Sequence, residues 1–423
     1  MEEEIIKKMK ERKLSYNEIE YMVNGYVKNL VTDKEMTSFI KNIYNNGFSM
    51  EETIYLTDVM IKSGETIDLS NIKYKTIDKN STGGVGDKVT LIVSPIVASL
   101  GIAVPKMSGK SLGLTGGTVD KLESIEGYKT NLTEKEFVDQ INKIKVGVIS
   151  QTKDICIADK KIYALRDEKG LVDSIPLIAS SIMSKKIASG SDNIVIDLKV
   201  GKAAFMKKIS EAKNLATTMI KIGAYYKKKV ICVLTDMDYP LGRTIGNKLE
   251  VIEARDFFEG KMDKRLKEIC IYISTYMVLV SKNITFTEAK KEVEEVLKNG
   301  TAKKKFYEWI KYQGGNIDSL NLNSKKMIIK STKDGYINNV KTISIASVVK
   351  DLGAGRVKKE DKIDYDAGIE FNKVIGDHVK KGDVLGTIYY NKEIKNMDRK
   401  FRNAFLIEEN KKKISNIIID VIK

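Results

Sequence analysis

From about residue 66 the chain repeats one pattern: a short apolar run, a loop, then a longer segment with apolar residues at helical spacing. Residues 102–104, 146–149, 193–198 and 230–234 read as buried strands, with helices between them such as 133–144 and 210–226. Strands with no polar face, separated by helices, belong to a parallel sheet covered on both sides. That feature sets the class as α/β.

The flanks differ. In residues 1–65, Ser15 with Glu18, Thr32 with Glu35, and Ser49 with Glu52 form capping boxes, in which a hydroxyl and a carboxylate satisfy orphan amides reciprocally. Ile19, Met22, Val23 and Val27 recur at helical spacing, and Gly64 closes the last helix. The stretch 158–189 holds two helices in succession and is expected to return to this N-terminal unit. Residues 247–312 are helical again. Beyond 326, Asp334-Gly335, Gly353-Ala354-Gly355 and Lys381-Gly382-Asp383 mark turns between short Val/Ile/Tyr segments. The expected organisation is a small helical domain (1–65 plus 158–189), an α/β domain (66–157 plus 190–325) and a β-rich α/β C-terminal part (326–423).

The 423 residues are ample for three such units. The longest uncharged run, 89–105, contains Ser94, Pro95, Ser99 and Gly101 and falls short of a membrane span. The opening Met1-Glu2-Glu3-Glu4 is wrong for a signal peptide. Cys156, Cys232 and Cys270 offer neither a disulfide framework nor zinc spacing, so a reducing cytoplasm is expected. The single histidine, His378, excludes sites built on several histidines. The chemistry must lean on Lys, Arg, Ser, Thr, acids and backbone amides. The net charge of +16 is spread as lysines among acids, which suits small anions better than nucleic acid. Neither a nucleic-acid nor a membrane partner is expected.

Two loops carry the anion chemistry. Residues 79–90 run Lys-Asn-Ser-Thr-Gly-Gly-Val-Gly-Asp-Lys-Val-Thr after a strand candidate at 74–77. Residues 106–118 run Lys-Met-Ser-Gly-Lys-Ser-Leu-Gly-Leu-Thr-Gly-Gly-Thr after the strand at 102–104 and open a helix at 119–125. Glycines let several amides converge on one point, and the following helix adds its N-terminal partial charge. Lys79 and Lys106 supply full charge. Known nucleotide fingerprints do not fit: the dinucleotide pattern needs glycine where Val89 stands, and the P-loop needs glycine at Val104. The pair of loops points to a bound phosphate.

At these residues the sequence resembles the thymidine/pyrimidine-nucleoside phosphorylase family. The resemblance runs through 79–86, 106–109, 115–124, 158–167, the SIPLIASSIMSKK stretch at 174–186, 204–207, TDMDYPLGRTIGNKLEVIE at 235–253, and LGAGR at 352–356. It implies a nucleoside-phosphorylase/phosphoribosyltransferase-like architecture: a small helical domain beside an α/β phosphate-binding domain, a mixed α/β C-terminal part, and a homodimer. The reaction implied is phosphorolysis of a pyrimidine nucleoside to free base and α-pentose-1-phosphate, with no organic cofactor. Lys79, Ser81, Thr90, Ser108 and Thr118 resemble phosphate ligands, and Lys106 is expected to bind substrate beside them through the charge it brings to the second loop. Arg166, Ser181 and Lys185 resemble base ligands, with Arg166, Lys185 and Asn80 in the catalytic positions. A monovalent cation such as K⁺ is implied at carbonyls matching Gly86, Lys88, Leu241 and Thr244 and the carboxylate matching Glu253.

The chain also departs from the family. The usual Lys-His-Ser-Thr-Gly-Gly has Asn80 in place of the histidine. Leu114 replaces a second histidine, Lys110-Ser111 an Arg-Gly pair, and Ala203 a glycine. Asparagine donates a hydrogen bond but cannot protonate at neutral pH. Two rivals follow. One is a slow or non-catalytic phosphate/nucleoside-binding homologue. The other is a related phosphoribosyltransferase, which would need Mg²⁺ and nearby acids such as Asp87 and Asp120.

Overall fold

In the computed structural model, which describes residues 1–110, 115–152, 154–356, 358 and 360–423, the chain opens with α1 (Glu2–Lys8), α2 (Tyr16–Val27), α3 (Asp33–Asn46) and α4 (Met50–Lys62). All three expected capping boxes form. Ser15, Thr32 and Ser49 accept from the amides of Glu18, Glu35 and Glu52, whose carboxylates reach back to the caps. The apolar stripes meet in a core of Met22, Phe39, Ile43 and Met60. Ala158, Ile162, Leu165 and Leu177, from far along the chain, complete it.

The middle of the chain alternates as β1 (Ile77–Ser81), α5 (Val89–Ser99), β2 (Val104–Ser108), α6 (Thr118–Glu123), α7 (Glu134–Ile144), β3 (Val146–Ser150), α8 (Ile157–Lys169), α9 (Ile175–Ala188), β4 (Asn193–Val200), α10 (Ile209–Tyr225) and β5 (Lys229–Asp236). β1, β4 and β5 pair in parallel, as do β2 and β3. A parallel bridge between Thr76 and Ala103 links β1 to β2. β4 is buried along nearly its whole length, as a sheet covered on both faces requires. α5 is apolar all round and lies in the core.

Two strand expectations are corrected. β1 begins at Ile77 rather than occupying 74–77, and β2 begins at Val104 rather than ending there. Lys79, Asn80, Ser81, Lys106 and Ser108 therefore lie on strands, not in loops. Lys79 and Lys106, the two charges expected to meet an anion, are both buried against acids.

After β6 (Thr244–Ile245) come α11 (Asn247–Phe258), α12 (Lys264–Lys282), α13 (Phe286–Lys298) and α14 (Thr301–Tyr312). The C-terminal part holds β7 (Lys325–Lys330), β8 (Gly335–Val340), α15 (Thr342–Val349), β9 (Gly368–Phe371), β10 (His378–Val379), β11 (Val384–Tyr390), α16 (Met397–Arg402), β12 (Phe405–Glu408) and β13 (Ile418–Ile422). It forms two antiparallel sheets, ordered β10-β8-β12 and β6-β9-β11-β7. β6 ties this part to the α/β unit through Thr244 and Ile245. β13 returns to the α/β sheet, antiparallel to β5, so the end of the chain leaves the C-terminal part in which the sequence places it. Among the described residues no single helix is long and apolar enough to cross a membrane.

Candidate active site

The C-terminal ends of parallel strands, where open α/β sheets bind ligands, bring the loops together. β1 alternates its side chains, so Lys79 and Ser81 share one face while Asp78 and Asn80 share the other. On the first face, Lys79 Nζ lies 3.3 Å from Asp197 Oδ2 and 3.9 Å from Asp87 Oδ1. Its side chain is fully buried, yet its ammonium makes no hydrogen bond to any described residue. Ser81 donates to Asp87 Oδ2 at 2.5 Å, and Lys199 Nζ lies 2.7 Å from Asp197 Oδ2. Burial would push the Asp87 carboxyl up, but Lys79, Lys199 and Lys121 outweigh it and hold the group well below the usual carboxylate range. Burial likewise works against the Lys199 charge, and Asp197 and Asp87 reverse the balance, leaving its pKa raised.

On the other face, Asp78 is shared by Lys106 at 3.3 Å and Lys186 at 2.6 Å. Burial would raise its pKa, but these two ammonium groups lower it. Lys106 also donates to the Lys79 carbonyl at 2.7 Å, tying β2 to β1. Burial pushes Lys106 down to about 7, against the pull of Asp78 and with the help of Lys186 and Lys79.

The remaining expected phosphate ligands stand around these strand ends. Ser108 closes β2, Thr90 lies in the first turn of α5, and Thr118 begins α6. Gly83 and Gly86 take positive φ (100° and 76°), which a side chain would resist. Lys121 holds the first loop by donating to the Asp87 carbonyl at 2.6 Å. Ser111 and Leu114 lie outside the described residues.

Asn80 and Ser81 line a cavity of about 340 Å³ together with Arg166 of α8 and Ser181 and Lys185 of α9. Ser181 and Lys185 are one turn apart, and Lys185 Nζ donates to Ser181 Oγ at 2.9 Å and to Asp159 Oδ2 at 2.5 Å. Asn80 makes no side-chain hydrogen bond to a described residue, so its amide remains available to a ligand. Arg166 is placed differently from a free base ligand. It is buried and donates to the carbonyls of Leu171, Val172 and Leu177 at 3.3, 2.7 and 3.2 Å, bracing the connection between α8 and α9. A cleft of about 1020 Å³ adjoins the cavity at Ile178 and Phe205, between α3, α4 and α10.

Several participants were not anticipated. Asp159 orients Lys185, Tyr163 lines the cavity, and Asp78, Lys186, Asp197 and Lys199 carry the buried charge. Asp197 and Lys199 did leave a trace: charged residues two apart inside an otherwise apolar strand.

The implied cation ligands are corrected. The carbonyls of Leu241 and Thr244 and the carboxylate of Glu253 do converge, but on the ammonium of Lys88, at 2.9, 2.8 and 2.6 Å. The Gly86 and Lys88 carbonyls accept local amides, from Lys88 and Leu91, both at 3.0 Å. These residues do not fit a separate ion. The acids that a Mg²⁺-dependent rival would use are also engaged: Asp87 as above, and Asp120 by the Gly117 amide at 2.8 Å and Arg356 at 2.7 Å.

Comparison with known proteins accords with this geometry. Residues 73–303 match the glycosyl transferase family a/b domain, residues 3–64 the helical bundle domain of that family, and residues 336–408 the pyrimidine nucleoside phosphorylase C-terminal domain. Anthranilate phosphoribosyltransferase from Thermus thermophilus shares the fold, with a TM-score of 0.60 and 14% identity, over 73% of this chain and 99% of that one. The pyrimidine-nucleoside phosphorylases of Geobacillus stearothermophilus and Bacillus subtilis are each 44% identical over 396 residues, 92% of both chains. That of Staphylococcus epidermidis is 44% identical over 416 residues, 96% of both chains. Identity at this level along nearly the whole length, with helical, α/β and C-terminal units in the same order, places the chain in the pyrimidine-nucleoside phosphorylase family.

Proposed function

We propose that the protein catalyses reversible phosphorolysis of uridine- or thymidine-type nucleosides, giving free base and α-(deoxy)ribose-1-phosphate. The observation that carries this reading is one cavity with two chemistries. The strand end bearing Asn80 and Ser81 forms one wall, next to the buried ammonium of Lys79, which has no hydrogen-bond partner among the described residues. The Ser181–Lys185–Asp159 group forms the other.

In the forward direction a phosphate oxygen bonds to C1′ as the C1′–N1 bond breaks, and the bonding pair leaves with the base. Phosphate is a weak nucleophile, so holding it under C1′ supplies much of the rate. Lys79, Ser81, Thr90, Ser108 and Thr118 are its proposed ligands, with Lys106 supporting the strand that carries Lys79. Lys185 meets the negative charge growing on the base, and Ser181 and Asp159 hold Lys185 in position. Arg166 lines the cavity and braces the wall that carries these groups. In this reading the Asn80 amide, which lines the cavity, donates to a base carbonyl, and the base departs as an anion and takes its proton afterwards. The cleft beside the cavity gives the helical unit room to close over bound substrates. A homodimer, which rests on the family resemblance, and a reducing cytoplasm, which rests on the three free cysteines, are part of the same reading.

Phosphate-dependent release of uracil or thymine, followed by chromatography, tests the proposal. Release that proceeds equally without phosphate would overturn it. Asn80 favours one alternative, a binding protein too slow to turn over. That reading predicts nucleoside and phosphate binding by calorimetry with no base released.

A further inference from the structure

Glu253, on α11, accepts an unusual number of donors. Its Oε1 takes the Arg243 amide at 2.6 Å, and its Oε2 takes the Thr244 amide at 2.8 Å and the Thr244 hydroxyl at 2.7 Å. The remaining approach to Oε2 is filled by Lys88 Nζ at 2.6 Å. The Leu241 and Thr244 carbonyls, from the turn facing Gly86, point at the same nitrogen. An ammonium has three N–H donors, and each here has one oxygen acceptor. The Lys88 side chain is sealed from solvent. The walls are close: a Cβ on Gly242 would lie 2.8 Å from Lys88 Nζ and 2.5 Å from Glu253 Oε1, and one on Gly86 would lie 2.5 Å from the Leu241 carbonyl oxygen.

Two carbonyls and a carboxylate form the all-oxygen donor set that suits a hard cation. We propose that Lys88 is a tethered cation: its ammonium, close in size to potassium, takes the place of the dissociable monovalent ion implied for this cage. A second positive charge cannot enter beside it without displacing it from Glu253. A dissociable ion stabilises a fold in proportion to how far its concentration exceeds its dissociation constant, whereas an attached charge has no such dependence. Lys88 is thereby a positioning residue. It sits between Asp87, which receives Ser81 and faces Lys79, and Thr90 in the first turn of α5. The phosphate-side loop is accordingly set without added K⁺ or Na⁺.

The test uses the full chain. Thermal unfolding is followed in potassium, sodium and choline chloride at equal ionic strength, and crystals are soaked in rubidium chloride for anomalous diffraction. The wild type is expected to melt at one temperature in all three salts and to show no rubidium peak among Leu241, Thr244 and Glu253. Lys88→Ala is expected to melt lower in choline, to recover as potassium rises, and to show rubidium in the cage. A wild-type midpoint that climbs with potassium but not choline, or a wild-type rubidium peak there, overturns the proposal. So does a folded Lys88→Ala protein indifferent to potassium. If that variant does not fold, the wild-type measurements decide alone. Neither readout uses turnover, so a failure here leaves phosphorolysis standing, and absence of base release leaves the tethered cation standing.

Discussion

Replacing Lys79 should separate phosphate binding from folding. Its buried ammonium makes no hydrogen bond to a described residue, and among those residues it is held by ion-pair attraction to Asp197 and Asp87. A phosphate reaching it gains a charge-assisted hydrogen bond, worth about 1.5–3 kcal/mol. Loss of that bond weakens phosphate roughly 10- to 150-fold. This range is a floor, because Asp87 and Asp197 then face the anion with less compensation. The same imbalance destabilises Lys79→Ala, although Lys199 still pairs with Asp197 at 2.7 Å and Ser81 still donates to Asp87. Lys79→Gln tells the two effects apart. Its amide fills the space and can donate to Asp197, so its melting temperature should exceed that of Lys79→Ala, while the lost charge is not restored. Calorimetric titration with phosphate at fixed ionic strength should show both variants weakened. A folded Lys79→Gln protein that binds phosphate within twofold of wild type would refute Lys79 as a ligand.

The other site groups make separate demands. Lys185→Ala should lower kcat/KM for nucleoside cleavage by roughly 10²–10³, the usual loss for one donor to a developing anion, with phosphate affinity nearly unchanged; near-normal cleavage would remove Lys185 from the base site. Arg166→Ala should reduce turnover too, but with a lower melting midpoint, because three backbone carbonyls lose their donor; an unchanged midpoint would contradict the bracing role. Asn80→His should raise kcat little and introduce no titration near the imidazole pKa of about 6.5, and a large gain appearing with that titration would mean that the base needs a proton donor. Lys106 should appear in ¹³C NMR as a lysine ε-carbon titrating near pH 7, lost in Lys106→Gln; across the window from there to its ordinary value near 10.5 the unfolded chain binds the extra proton, so this group makes stability rise with pH.

Local signals carried the helical unit. A capping box is complete within four residues, and each one expected is present. Ser181 and Lys185 came from the resemblance, and their spacing of one turn on one helix is what lets them touch. The strand bounds at Ile77–Ser81 and Val104–Ser108 were not readable, because each strand ends in lysine and serine running into glycine, which reads as loop. Asp197 lies far from Lys79 in sequence, and Asp78 lies 28 positions from Lys106. β13 pairs with β5 across most of the C-terminal part, and five apolar and acidic residues do not say which sheet they will join. The cation positions came from a motif that lists places along the chain. Whether residue 88 lends the cage a carbonyl or fills it with a side-chain amine is a matter of where one four-carbon stem reaches.

Asn80 and Lys88 alter the site in one physical direction. The family histidine at position 80 would change charge near pH 6.5; an amide does not. A bound ion would make the loop around Gly86 depend on salt, whereas an ammonium on the chain removes that dependence. The charge in the proposed site is paired within the protein: Lys79 lies between Asp197 and Asp87, Lys185 contacts Asp159, and Lys88 contacts Glu253. Such fixed dipoles and charges need no reorganisation as the glycosidic bond breaks, which is what stabilising a departing base anion requires when residue 80 is an amide rather than an acid. Lys106 is the exception near neutrality, and its ammonium lies against Asp78 and the Lys79 carbonyl. Its proton therefore acts on the position of the phosphate strand, and pH should act on phosphate binding before it acts on base departure.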